Sequence, residues 1–367
     1  MKFHLEKAVF ENAIGTAIRA VPSKSSIPAL EGLLFEAEGE TLTINAYDLK
    51  TAIRTRCTAE VEQEGRVVLN AKLFSEIIRK MPQDVVTVDC GDDLAAKVTC
   101  GQAHYSIMAF AADEYPNMPD VGDTKCFDMG EAVLASMIGG TIFAVSTNEQ
   151  RPVQTGALFD LAGGKLNVVA SDGFRVAIRS DAVDTKENFE FVVPGTALSE
   201  VERMCGAGGM VRIAVADRHV MFYIGSTELI SRRLEGQFLD YKGAIPQNNP
   251  ITVTADAKEL MQSLDRVSVV INEKIKSPVR CNVGSGEMRF SAKTAIGAAT
   301  DKCKIGGDGK DLEIGFNHRY LYDTLRFAAE QKVNISLNTN VTPAVITPTD
   351  GSGKFLYMVL PVRLKTK

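Results

Sequence analysis

The sequence is poor in the residue patterns that metal, redox and hydrolytic chemistry require. Its four histidines, His4, His104, His219 and His318, stand far apart, with no HExxH pair to hold zinc. No GxSxG segment and no convincing acid pair are present. GGDGKD (306–311) lacks the GK[ST] ending of a phosphate loop and reads as a hairpin or interdomain turn. GAGG (206–209) follows a predicted helix, so it reads as a C-cap, not as a dinucleotide fingerprint. The seven cysteines are odd in number and lack a CxxC pair, which predicts small buried or half-buried thiols in a reducing compartment. Nowhere do 18 apolar residues run together, and MKFHLEKAVFENAI threads charges through its apolar positions. Neither a membrane span nor a signal peptide is expected, and the expected location is the cytoplasm. A formal net charge of −5 argues against a surface that grips nucleic acid everywhere, but not against one basic face in an acidic shell.

What the chain does contain is repetition. Its 367 residues, 45% apolar and 24% charged, suit two or three globular domains. The segment NAYDLKTAIRTR (45–56) returns as ASDGFRVAIRSD (170–181). Laid over each other with one extra residue after the second Asp, Leu49, Thr51 and Ile53 match Phe174, Val176 and Ile178 on one face of a strand. Asp48 and Asp172, repeated without catalytic partners, read as Asx-type turn residues.

A second signal occurs six times: an extended apolar run passes through a polar, Gly or Pro cap into a short amphipathic helix, near residues 2, 67, 126, 191, 251 and 312. The starts lie roughly 60 residues apart, the spacing of a repeated supersecondary unit. Two units make a domain, and Pro-, Asn- and Asp-rich stretches place the expected domains at 1–121, 122–247 and 248–367. Alternating segments such as TLTINAYD and VMFYIGST, separated by Gly turns, fill the rest. The fold class is α+β: three repeated domains of antiparallel sheet, each with two short helices.

The helices are one-sided. Phe10, Ile14, Ala17, Ile18 and Val21 point inward in the first, leaving Lys7, Asn12 and Arg19 outside; Leu73, Phe74, Ile77, Ile78 and Met81 form the stripe of the second, leaving Arg79 and Lys80 outside. Arg203, Lys258, Arg266, Arg319 and Arg326 add positive charge to the same predicted outer layer. An arc of three such domains exposes sheet edges at both ends, and two-fold pairing with a second copy closes it. Twelve helices at about 10 Å spacing line a circumference of about 120 Å and leave a bore of about 28 Å, wider than a DNA duplex. A mildly basic lining attracts phosphates without reading bases, so binding is salt-sensitive and compatible with sliding.

The chain resembles the bacterial DNA polymerase III beta subunit, or sliding clamp, family over its whole length. The resemblance is carried by SSIPAL (25–30), the YDL and SDGFR strands, DEYPNMPD (113–120), FLDYKGAIP (238–246), INEK (271–274) and MVLPVRL (358–364). It implies a DNA clamp fold, a head-to-tail homodimeric ring around duplex DNA, and a role as processivity factor without chemistry or cofactors. It also implies partners: the replicative polymerase alpha subunit, the clamp loader and repair proteins, held as short peptides in an apolar pocket. The non-encircling alternative is a three-domain scaffold that gathers peptides.

Carried over by motif, the pocket comprises Ser171, Gly173, Phe174, Arg175 and Val176, then Leu239 and Ala244, and then Met358, Val359, Leu360, Pro361, Val362, Arg363 and Leu364. Arg175 and Arg363 are expected to hold a peptide carbonyl or acid. Gln154, Leu239 and Gly243 depart from the family pattern, and Lys365, Thr366 and Lys367 extend past its usual end. Similarity places Lys24, Asn148, Gln150, Arg151, Lys274 and Lys276 near DNA, beside the helix cations Arg19, Arg79, Lys80 and Arg203. For the subunit joint it points to Tyr105 and Ile107 on one side and Val269 and Val270 on the other.

Overall fold

The computed structural model describes residues 1–119, 121–122, 124–271, 277–328 and 331–364. All six expected strand-to-helix transitions are present. Lys2–Glu6 runs into α1 (Lys7–Ala17), Gly65–Asn70 into α2 (Ala71–Lys80), Lys125–Gly130 into α3 (Glu131–Ile142) and Phe189–Pro194 into α4 (Gly195–Met204). After a one-turn helix, α5 (Tyr241–Ala244), the series resumes: Ile251–Asp256 enters α6 (Ala257–Ser268) and Gly297–Phe316 precedes α7 (His318–Arg326). The switch from strand to helix has a local cause at three of these points. Asn70, Asp256 and Asn317 each accept, at 3.0 Å, a backbone N–H of the first turn that has no intrahelical partner.

The chain forms two compact units, Met1–Leu134 with Glu200–Arg233, and Ala135–Ser199 with Leu234–Lys367. The first holds a five-stranded sheet ending on Ala103–Met108 and a nine-stranded sheet. In the nine-stranded sheet Thr51–Thr58 pairs with Thr227–Arg232, so a strand of the first expected repeat lies beside one of the second. The second unit holds a ten-stranded sheet, in which Arg175–Ala182 pairs in the same way with Phe355–Val359 and Val279–Thr294 forms one edge. Every strand pair among the described residues is antiparallel. Backbone bonding thus runs without interruption across each repeat boundary, which is why the compact units cut across the repeats.

Helices and sheets meet through aromatic cores. In the first unit Phe3, Phe10, Phe35 and Phe74 are fully buried. Their rings contact edge-to-face at centroid distances of 5.2–6.0 Å. Such pairs contribute about 0.5–1.5 kcal/mol each beyond area burial. Helical periodicity named most of the inward residues but not all. Lys7 is buried and reaches Glu11 at 2.6 Å, whereas Leu73 is 46% exposed. Val21 and Met81 lie beyond their helices, because α1 tightens into a 3-10 turn at Ile18 and α2 ends at Lys80.

The repeated strand is corrected in register. Asp48 accepts the N–H groups of Lys50 and Thr51, and Asp172 those of Phe174 and Arg175. Both are the expected Asx turns, and they match residue for residue. The strand pairs agree: Tyr47 faces Ala52 as Ser171 faces Val176, and Ala46 faces Ile53 as Ala170 faces Ala177. No residue is inserted. Ile53 is therefore equivalent to Ala177, and Ala52, not Ile53, takes the core position of Val176. A one-residue slip moves every side chain to the other face, and matching the shared letters AIR produces that slip. Leu49 then occupies the left-handed position of Gly173, with φ of 71° against 87°.

Three smaller expectations change. GGDGKD is neither hairpin nor interdomain turn but an irregular stretch inside the strand Gly297–Phe316, with positive φ at Gly307, Lys310 and Asp311. Cys126 is exposed, although the other six thiols are buried or half-buried and all seven are free. GAGG does follow α4, and it also wraps a carboxylate. Gly206 N–H donates to Glu131 Oε2 at 2.6 Å, and Glu131 N–H donates to the Gly209 carbonyl at 3.1 Å. A side chain on Gly209 would start 2.4 Å from Glu131 Oε1 at φ +125°. Gly209→Ala is therefore expected to lose about 1–3 kcal/mol in denaturant unfolding. Gly208→Ala, with open space around it, is expected to lose much less.

Candidate functional site

The SDGFR turn is built from local bonds. Ser171 Oγ accepts Gly173 N–H at 3.2 Å and Asp172 closes the Asx turn, which leaves Phe174 projecting with 58% exposure. Its ring stacks on Tyr320 of α7 at 5.9 Å and 20°. Its carbonyl accepts Leu360 N–H at 2.9 Å, tying the C-terminal segment to the turn. Val176, Met358 and Val359 are buried beneath, whereas Leu360, Pro361, Val362 and Leu364 are half-buried and Arg363 is exposed. Val362 N–H bonds the Gly315 carbonyl at 2.8 Å. A side chain at Gly315 would meet Leu364 and the Val362 carbonyl, so that glycine lets the C-terminal segment lie against the strand.

The segment after Phe238 packs on the same core. Phe238, Ala244 and Ile245 pack half-buried on a core that includes Val176 and Met358, and Leu239 is 42% exposed. This segment is pinned by Tyr241, whose hydroxyl donates to Asp160 Oδ2 at 2.5 Å, while Lys242 Nζ lies 2.9 Å from the same oxygen. Burial raises the Asp160 carboxyl, but Lys242, Tyr241 and Asn167 together outweigh it and hold it below its ordinary value of 3.8. A depressed carboxyl stabilises the fold above its unfolded-state value, and that contribution is lost as pH falls through the folded-state value. The stability advantage of the wild type over Asp160→Asn is therefore expected to be full at neutral pH and to vanish in acid below 3.8, as read from denaturant midpoints across pH.

Arg175 departs from its expected part. It is buried, and three of its five N–H donors are used within the chain. Nε bonds Asp172 Oδ2 at 3.1 Å, Nη1 bonds Asp323 Oδ2 at 2.7 Å and Nη2 bonds the Phe143 carbonyl at 2.5 Å. Its guanidinium also lies 4.6 Å from the Tyr320 ring centroid and 5.2 Å from that of Phe143. The fork first ties the turn to α7 and to the end of α3. Phe143, Tyr320 and Asp323 escaped the sequence reading. Tyr320 and Asp323 share a helix face by their three-residue spacing, but nothing in the sequence links that face to residue 175. Gln154 places Oε1 where it is buried without a hydrogen-bond partner among the described residues. Gly243 N–H bonds Asp240 Oδ1, and a side chain there would start 2.6 Å from Asp240 Oδ2.

The predicted cations differ in how free they are. Lys24, Arg79 and Lys80 are exposed and form no ion pair among the described residues. Asn148, Gln150 and Arg151 share one exposed turn, in which Asn148 Oδ1 accepts Gln150 N–H and the Asn148 carbonyl accepts Arg151 N–H. Arg151 Nη1 lies 3.8 Å from where a Gly173 side chain would begin, so it sits against the SDGFR turn. Arg19 and Arg203, from different repeats, both pair with Glu200. Lys274, Lys276 and the Lys365–Lys367 extension lie outside the described residues.

Two sheet edges carry exposed apolar side chains. Ala103–Met108 presents Tyr105, 40% exposed, with Ile107 half-buried, and Met108, missed by the sequence reading, is 69% exposed. Near the edge strand Val279–Thr294, Val269 and Ile296 are 78% and 74% exposed, while the Val270 carbonyl accepts Thr294 Oγ1 at 2.8 Å.

Sheet-and-helix repeats joined edge to edge, with apolar side chains at two open edges, define the clamp class of fold. The crystal structure of the Bacillus subtilis sliding clamp superposes with a TM-score of 0.95 at 26% identity, covering all of both chains. That of the Thermotoga maritima DNA polymerase III beta subunit does so at 0.92 and 27% identity, covering 99% of this chain and all of the other. The beta sliding clamp of Synechocystis sp. is 31% identical over 390 residues, 99% of this chain and all of the relative. Profiles of the DNA polymerase III beta subunit match in series: N-terminal domain at 1–119, central domain at 128–240, C-terminal domain at 242–363. The chain belongs to the DNA polymerase III beta subunit family. Its function is that of a DNA-encircling, non-catalytic processivity clamp, and the non-encircling scaffold reading falls.

Proposed function

We propose that two copies of this chain join head to tail, with the Ala103–Met108 edge of one protomer meeting the Val279–Thr294 edge of the other. Tyr105 and Ile107 then pack against Val269 and Val270. Supporting this is the exposure of apolar side chains at both edges, where an unpaired strand otherwise invites aggregation. The three domains run from 1 to 121, 122 to 247 and 248 to 367. The cations Lys24, Arg79, Lys80 and Arg151, with Asn148, Gln150, Lys274 and Lys276, contact the phosphates of duplex DNA without reading bases, and the ends of α1 and α4 that carry Arg19 and Arg203 face the same duplex. The chain works in the cytoplasm, and among the described residues no helix is long and apolar enough to cross a membrane.

The cleft between the Phe174 turn, the segment after Phe238 and the C-terminal segment takes short peptides of the replicative polymerase alpha subunit, the clamp loader and repair proteins. The observation that carries this is a projecting Phe174 beside the half-buried Leu360, Pro361 and Val362, over an apolar floor. A pocket of that kind holds apolar anchors. Overlapping peptides from the polymerase alpha subunit, titrated calorimetrically, test it. Truncation before Leu360 is expected to abolish binding while the dimer persists on sizing; undiminished binding sinks the reading.

A further inference from the structure

Glu200, on α4, lies between two arginines that belong to different helices. Its Oε2 is 3.4 Å from Arg19 Nη1, at the end of α1, and its Oε1 is 2.7 Å from Arg203 Nη1, one turn on. Arg19 also donates from Nε to the Gly15 carbonyl at 3.3 Å. The carboxylate is 19% exposed and the two guanidiniums 35% and 63% exposed. All three are compensated but within reach of solvent. By contrast Arg79 and Lys80 in the last turn of α2 have no such partner among the described residues.

We infer that Glu200 is a positioning residue that weakens the clamp's grip on DNA by holding Arg19 and Arg203 back from phosphates. The inference rests on the proposed DNA-facing role of these helices. Each cation that neutralises a phosphate releases counterions and steepens the fall of affinity with salt by about 0.9. A ring needs no tight grip to stay on DNA, since topology retains it, and strong phosphate contacts would slow its sliding. An acid shared by two arginines lowers the number of engaged phosphates while keeping both side chains in place.

The test is binding of a short labelled duplex to the full-length protein across a salt series, with dimerisation and melting temperature as fold controls. Glu200→Gln is expected to bind roughly 3- to 10-fold more tightly at low salt and to steepen the log–log salt slope by about one to two. Glu200→Asp keeps the charge but shortens the reach, so it is expected to steepen the slope with no change in net charge. Glu76→Gln removes the same charge from α2 without freeing an arginine, and its slope is expected to stay at the wild-type value. If both Glu200 variants keep the wild-type slope while Arg19→Gln and Arg203→Gln weaken binding, the restraint is wrong and the DNA-facing reading stands. If those arginine variants also bind as the wild type does, the DNA-facing reading fails and takes the inference with it.

Discussion

Arg175→Ala is expected to destabilise the protein by about 3–5 kcal/mol, because it removes the shared partner of two carboxylates and a carbonyl at a site nine-tenths buried. The effect should appear as a lowered denaturant midpoint. Peptide binding should fall with it, since the same side chain fixes the turn that projects Phe174 and anchors Leu360. Arg175→Lys retains the charge but loses the planar fork, so it cannot reach Asp172, Asp323 and the Phe143 carbonyl together. It is expected to recover little of the stability. A full recovery of stability by Lys would show that charge and not the planar fork holds the turn, and a peptide defect with no loss of stability would show that the guanidinium acts on the peptide and not on the turn.

The second large effect concerns the ring. Wild-type protein loaded on a closed circular duplex is expected to stay bound through a salt wash and to be lost when the circle is cut, as followed by sedimentation. Tyr105→Arg with Ile107→Arg places two charges on the exposed edge of Ala103–Met108. Buried anchors of this kind contribute about 2 kcal/mol or more apiece, so the dimer constant is expected to weaken roughly a thousandfold, and retention on circles to disappear. Tyr105 is exposed and Ile107 half-buried, so the protomer should fold unchanged. A double variant that still dimerises and remains on circles would place the joint elsewhere.

Much of the fold could be read directly from residue order. Six strand-to-helix units, the Asx turns at Asp48 and Asp172, and the caps at Asn70, Asp256 and Asn317 depend on neighbours within four residues, where side-chain chemistry acts without tertiary help. Letter identity sets the repeated strand one residue out of register, because only strand pairing determines which face a residue takes. Of the proposed peptide site, only the motif-bearing parts were legible. Phe174 and the C-terminal segment stood out as motifs. The tether of Arg175 to Asp323 spans 148 residues, and no local pattern announces a bond of that separation.

Residue order by itself determined the repeat, the α+β class, the helix caps and the list of cations and apolar residues available to each surface. The tertiary structure decided which of those residues are free to act: Arg175 is drawn into the turn, Arg19 and Arg203 share Glu200, and Phe174 and Tyr105 remain exposed. The physical reason is one of range. Propensity and capping act over a few residues, but a charge is free or committed according to what the folded chain brings within a few ångströms of it, whatever the distance in sequence.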